Sequence, residues 1–229
     1  MVSATNILKT HLTQKYFVTI SATVLIFSVW GFSDNLFWDI GQPSNSDPKF
    51  VVHGLFCLAW MVIFFFQSML VANRNVALHR KLGLAGLVIA IGTIVSTVYL
   101  FAAIWKGWEN MAPFVKANRV LFASYAVCVF WAFYIRRKSA WHKRLMLVGT
   151  LFMMEPILSR VFGTAEITIL KGMSDSQLDF YWYVVVFSLW GLLFLSLFAH
   201  DWLNSKRFHP VTIGGAAWIV TAWTIVHFV

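Results

Sequence analysis

Glu155 stands in an otherwise apolar stretch and is followed at once by Pro156, in the run Met153-Met154-Glu155-Pro156-Ile157-Leu158-Ser159-Arg160. An ionisable group in such a setting is costly, so it is a functional candidate by default. Proline has no N–H, so the carbonyl of Phe152, four residues earlier, loses its usual partner and the helix can kink. Ser159 at i+4 shares the Glu155 face, whereas Arg160 at i+5 lies about 140° away on an ideal helix. A proline kink could bring Arg160 back. Asp34 and Asn35, His53 with Cys57 at i+4, Asn118, Arg119, Tyr183 and His227 fall in the same half of the apolar segments. Glu155, Arg160, Arg119, His53 and Asp34 form the candidate catalytic or ligand-holding set of an outward-facing polar pocket. The opposing reading is that these charges only neutralise one another and pin helix packing, as buried ion pairs often do.

A second constellation is built from histidine: His79, His142, and His200 followed by Asp201. Three imidazoles with a carboxylate or water suit zinc, copper or iron, which makes His79, His142, His200 and Asp201 the candidate metal ligands. Two imidazoles facing across a bundle suit a haem b, and His53, His79, His142 and His200 are the candidates for that role. All of the inner histidines sit at segment ends, where an interfacial imidazole is the plain alternative. No HxxxH or HExxH spacing places two ligands on one helix face.

The elements that must position these groups follow from composition. The chain has 229 residues, 59% apolar and 12% charged, with a mean hydropathy of +0.72. Soluble domains carry about 25% charged residues, so a cytosolic enzyme, a secreted disulfide scaffold and a disordered tail are excluded. Seven apolar spans of 19 to 24 residues are read at 16–38, 51–72, 82–105, 117–135, 142–164, 180–202 and 211–229. Each is long enough to cross a bilayer as helix, and lipid demands helix because it cannot satisfy open backbone amides. The expected fold is all-α: one seven-helix membrane domain over residues 16–229, after an N-terminal tail of residues 1–15.

Orientation is read from lysine and arginine. Twelve of the 18 basic residues fall in the tail and in the second-to-third, fourth-to-fifth and sixth-to-seventh connections, with Asp201 as the one acid there. Asp34, Asp39, Asp47, Glu109, Glu166, Asp175 and Asp179 mark the other side. The positive-inside rule then puts the N-terminus in the cytoplasm and the C-terminus outside, in a cell membrane, with a bacterial inner membrane expected. The net charge of +9 is explained by this topology and by anionic lipid heads, and calls for no nucleic acid. Gly83, Gly86, Gly92, Gly214 and Gly215 read as helix-packing positions. Gln67 reads as an interhelical amide. Val211 to Val229 has no lysine, so a retinal Schiff base there is rejected.

His79-Arg80-Lys81-Leu82 and His142-Lys143-Arg144-Leu145 open two helices in the same way, as a faint duplication of a hairpin would. Basic residues in a first turn oppose the helix dipole, so orientation or ligand binding must account for them. With His53-Gly54, Gln67 and Arg160, these motifs make residues 50–165 resemble uncharacterised bacterial membrane proteins of the DUF2306 type. The hairpin histidines are loosely similar to those of cytochrome b561-like proteins, which hold haem between adjacent helices. The Gln67 spacing and Glu155-Pro156 depart from the first pattern, and the deeper histidine pair of the second is missing. The progestin-receptor and ceramidase superfamily also has seven helices, but its paired histidines on the last helix are absent.

Three functions remain open. The favoured one is a membrane redox protein holding haem or quinone, an oxidoreductase rather than a hydrolase. The second is a metal-dependent intramembrane enzyme acting on a lipid. The third is a binder or transporter of a small amphiphile that uses the Glu155/Arg160 pocket.

Overall fold

The computed structural model describes the backbone of residues 4–169 and 173–228, and the side chains of residues 15–164 and 173–228. Among the described residues every regular element is helical. The helices are α1 (Ala4–Gly31), α2 (Pro43–Ser46), α3 (Pro48–Ala72), α4 (Val76–Ala103), α5 (Pro113–Tyr134), α6 (Ser139–Phe152), α7 (Met154–Ile169), α8 (Asp175–Ser205) and α9 (Pro210–Phe228), with a π-helical turn at Asp34–Trp38. Helices α3, α4, α5, α8 and α9 are long and apolar enough to cross a membrane, and the bent pair α6–α7 is a sixth crossing if it counts as one span. That is the composition of a multi-pass membrane protein. The described apolar part of α1 is shorter, Lys15–Gly31.

Local sequence explains the ends of these helices. Proline opens α3, α5 and α9, where its missing N–H is harmless and its fixed φ suits a first turn. Asp47 caps α3 by accepting the Lys49 N–H at 3.1 Å, and the Lys49 ammonium beside it holds the Asp47 carboxyl below the usual carboxylate range. Lys206, at φ 55°, closes α8 in the left-handed conformation. Helix one was expected to continue to Trp38, yet α1 stops at Gly31. Asn35 explains the difference: its amide donates to Ser44 at 3.0 Å and to Asn45 at 2.8 Å, and Asn45 donates back to the Asn35 carbonyl. These bonds fold the segment onto α2.

The described chain forms two compact units, Met1–Ala103 and Ile104–Val229. In the first, α3 and α4 pair as a hairpin and α1 lies against α3. A Cβ at Gly92 would collide with the Phe56 ring, so glycine is what lets α4 approach α3 there. On α4, Leu84, Val88, Ile91 and Val95 are exposed while Ala90, Thr93 and Thr97 are buried. The more apolar face points outward, as a lipid solvent allows and water does not.

In the second unit α5 pairs with α6, α9 packs on both, and α8 lies against α7 and α9. The core holds Tyr125, Leu147, Leu151, Leu158, Trp190 and Leu197, all fully buried. Gly215 of α9 sits so close to α6 that a Cβ would lie 2.5 Å from Val148 Cγ1.

The fifth expected span is not one helix. It breaks at Met153, and α6 and α7 meet at a 49° bend. Pro156 is the cause: it offers no N–H to Phe152, and its ring crowds that carbonyl. The Met153 N–H bonds instead to Thr150 at 3.1 Å. The buried Leu151 carbonyl accepts from the Trp190 indole N–H of α8 at 2.8 Å. The bend is thus held from outside its own helix.

Candidate functional site

Three side-chain contacts fix α8 against α6 and α7: Asp201 to Arg144, Trp190 to Leu151, and Trp182 to Ser159. Numbers fall on one side as they rise on the other, so α8 runs antiparallel to the bent pair. Residues 182 and 201 are about 28 Å apart along the helix, close to the thickness of a hydrocarbon core. The two ionisable clusters of this unit therefore sit at opposite ends of the span.

At the α7 end, Glu155 lies in the first turn beyond the break and is only 1% exposed. Ser159 donates to its Oε1 at 2.8 Å, and the Asn118 amide of α5 reaches the same carboxyl. Oε2 has no well-formed hydrogen bond. Ser159 in turn accepts from the Trp182 indole at 3.1 Å. Ser159 also lines an open cleft of about 360 Å³ whose other sides include Phe162, Asp175, Leu178, Asp179 and Trp182. Glu155 is thus hydrogen-bonded to a residue that lines the cleft. Phe114 packs against the Trp182 ring with centroids 5.9 Å apart. Lys116 and Arg119, on the first turns of α5, lie over the rings of Trp108 and Trp105 at 5.4 and 5.1 Å.

Arg160 does not join this arrangement. It is exposed and forms no ion pair with Glu155, whose partners are Ser159 and Asn118. The bend falls before Glu155, at Met153, so both residues stay on the same straight helix and keep their angular offset. Asp34 lies half-buried in the π-helical turn of the first unit.

At the other end of α8, Asp201 is fully buried. Its Oδ1 accepts two bonds from Arg144, from Nε at 2.9 Å and from Nη2 at 2.5 Å. Its Oδ2 accepts the Thr212 hydroxyl at 2.6 Å and the His209 backbone N–H at 3.0 Å. One carboxylate therefore ties α6, α8 and α9 together. Arg144 also donates to the Ala140 carbonyl at 2.9 Å. His209, just outside the membrane-spanning segments, accepts the Val211 N–H on Nδ1 at 3.2 Å and so caps α9. Burial holds its imidazole below 6.5, and the Arg144 charge adds to the effect.

This network tests the metal reading. His200 Nδ1 is 3.5 Å from Asp201 Oδ1, but both Asp201 oxygens are already engaged and Arg144 is against them. A cation at Asp201 would have to displace or face a guanidinium, so the donor set does not fit a metal there. His142 shares a hydrogen bond with the Ala132 carbonyl at 2.9 Å, which links α6 to α5. His79 belongs to the first unit. Among the described residues no three His, Cys, Asp or Glu side chains gather at metal-binding distance.

In the first unit His53 bridges α3 and α4. Thr97 spends its proton on the Thr93 carbonyl at 2.7 Å, so His53 Nδ1 is the donor in the 3.2 Å contact with Thr97 Oγ1. Cys57 Sγ lies 3.6 Å from His53 Nε2. Gln67 has neither amide atom hydrogen-bonded, contrary to its expected bond to a neighbouring helix.

The residues that sequence reasoning passed over are Arg144, Thr212, Trp182 and Trp190. Arg144 carried a signal, since a basic residue in a first turn works against the helix dipole and needs another reason to be there. The two tryptophans carried none, because a long-range indole bond leaves no mark on local spacing. No family model, curated protein or solved structure matches the chain.

Proposed function

We propose that the chain is a seven-span membrane protein, N-terminus inside and C-terminus outside a bacterial inner membrane, that binds a small amphiphile at the outward end of α7 and α8 as a carrier or receptor. The observation that carries this reading is Glu155, a buried acid with one unpaired oxygen, placed by a helix break directly behind an open, partly aromatic cleft. Broken membrane helices that hold a ligand near their ends are a recurring way to build such sites. An apolar wall with a few convergent polar groups is the usual form of a small-molecule pocket. The seventh span rests on α1, whose described apolar part reaches about 26 Å as helix. The redox reading with haem or quinone, and the DUF2306 kinship, draw on the histidine motifs. The geometry adds nothing to them, since His53, His142 and His200 each lie against a polar group of their own unit.

The test is photolabelling in nanodiscs with decyl-chain diazirine amphiphiles carrying neutral, zwitterionic, cationic and anionic heads. Saturable labelling of α7 or α8 by any of the four, weakened about tenfold or more by Glu155→Gln, is the expected result. Labelling spread evenly over all helices and insensitive to excess competitor would overturn it.

A further inference from the structure

The chemistry of the cleft goes further than its existence. Asp175, Leu178, Asp179 and Trp182 are spaced i, i+3, i+4 and i+7, so one face of α8 presents two carboxylates and an indole to the cleft. Ser159 and Phe162 face them from α7. Among the described residues, the charged groups on the walls are Asp175 and Asp179, both exposed at the mouth. Behind Ser159 lies a third acid, Glu155, 1% exposed, with Oε2 unpaired. Arg160 follows Ser159 directly and is turned about 100° from it, so it does not line the cleft. The Trp182 ring is held by its bond to Ser159 and by edge contact with Tyr183 at 4.8 Å. The same end of this unit already seats Lys116 and Arg119 over tryptophan rings, so cation and indole are the pairing used there.

We propose that the cleft takes an organic cation, a protonated amine or quaternary ammonium, as the head of its ligand, lodged between Asp175 and Asp179 and against Trp182. This rests on the amphiphile-binding reading and names its ligand class. An ammonium gains from both carboxylates at once and from the ring face, where a cation–π contact contributes roughly two- to thirtyfold in affinity. A sulfonate or phosphate of the same size would meet the same two carboxylates. Gly163 also borders the cleft, and a Cβ there meets nothing within 4 Å, so a larger side chain at this position can fill the space without disturbing either carboxylate.

The experiment is equilibrium dialysis of the full chain in phosphatidylcholine nanodiscs against three isosteres: benzyltrimethylammonium, neopentylbenzene and phenylmethanesulfonate, each corrected with empty nanodiscs. Benzyltrimethylammonium should bind saturably, about tenfold or more tighter than the other two. Asp175→Asn with Asp179→Asn should weaken it about tenfold, Trp182→Leu by a similar factor, and Gly163→Leu should abolish it. Because Gly163→Leu leaves every charge in place, its loss of binding separates a seated ligand from loose attraction to an acidic surface. Binding of the sulfonate or the neutral isostere that Gly163→Leu blocks, without preference for the ammonium, would sink the cation and keep the amphiphile. No saturable binding of the ammonium overturns the proposal. If the photolabelling panel also shows no saturation, the amphiphile reading falls with it.

Discussion

Asp201 and Glu155 are both sealed inside the α5–α9 unit, at 0% and 1% exposure, and the fold treats them in opposite ways. Asp201 receives two bonds from a guanidinium, one from a hydroxyl and one from a backbone amide, so every oxygen is engaged. Glu155 receives a hydroxyl on one oxygen, has an amide nearby, and keeps Oε2 unpaired next to a cleft. Burial alone therefore does not mark a functional acid in a membrane. The count of partners does: a fully compensated carboxylate holds three helices together, and an undercompensated one is available to something else.

The contrast can be broken by matched substitutions. Asp201→Asn should be the most damaging, because it strands Arg144 as a buried charge; a loss of about 3–5 kcal/mol is expected. Thermal unfolding in detergent should show it, and Arg144→Met with Asp201→Leu should recover most of it. Thr212→Val removes a hydroxyl bonded to the same carboxylate, for about 1.5–3 kcal/mol. Its counterpart Ser159→Ala should cost at most about 1 kcal/mol of stability while weakening amphiphile labelling. If Ser159→Ala destabilises as much as Thr212→Val, the distinction between the two ends is wrong. Glu155→Gln should change stability least of the acids, within about 1 kcal/mol, since a neutral amide can still accept from Ser159 and puts no ionisable group in the interior.

The smallest effect concerns pH. Burial, then the Arg144 charge, lowers the His209 pKa, with Asp201 pulling the other way. The unfolded chain therefore takes up this proton more readily than the folded one. The stability His209 contributes is complete above its ordinary value of 6.5 and is lost as pH falls through the lowered value. Melting temperature should drop between about pH 7 and about pH 5, and less steeply in His209→Gln. An identical slope in the variant would remove His209 from the Asp201 network.

The all-helical, membrane-crossing architecture was legible in the residues because it depends on composition and run length, which need no contacts to be read. The break in the fifth span was half legible. Pro156 announced a kink, but its place at Met153 depends on Trp190, thirty-odd residues away, arriving to hold the Leu151 carbonyl. Glu155 and Ser159 were paired correctly by helical spacing alone. Arg160 was linked to them by a bend that turned out to lie before all three. Asp201 was grouped with histidines by residue type, and only packing showed that Arg144 had claimed it.

Sequence by itself settled which solvent the segments suit and which polar groups share a helix face, since hydropathy and a 3.6-residue period are properties of one strand of chain. Tertiary structure alone decided which acid is satisfied and which is left open. That difference is made by groups from α6 and from the start of α9 converging within 3 Å of a carboxylate on α8, and no local pattern encodes such a meeting.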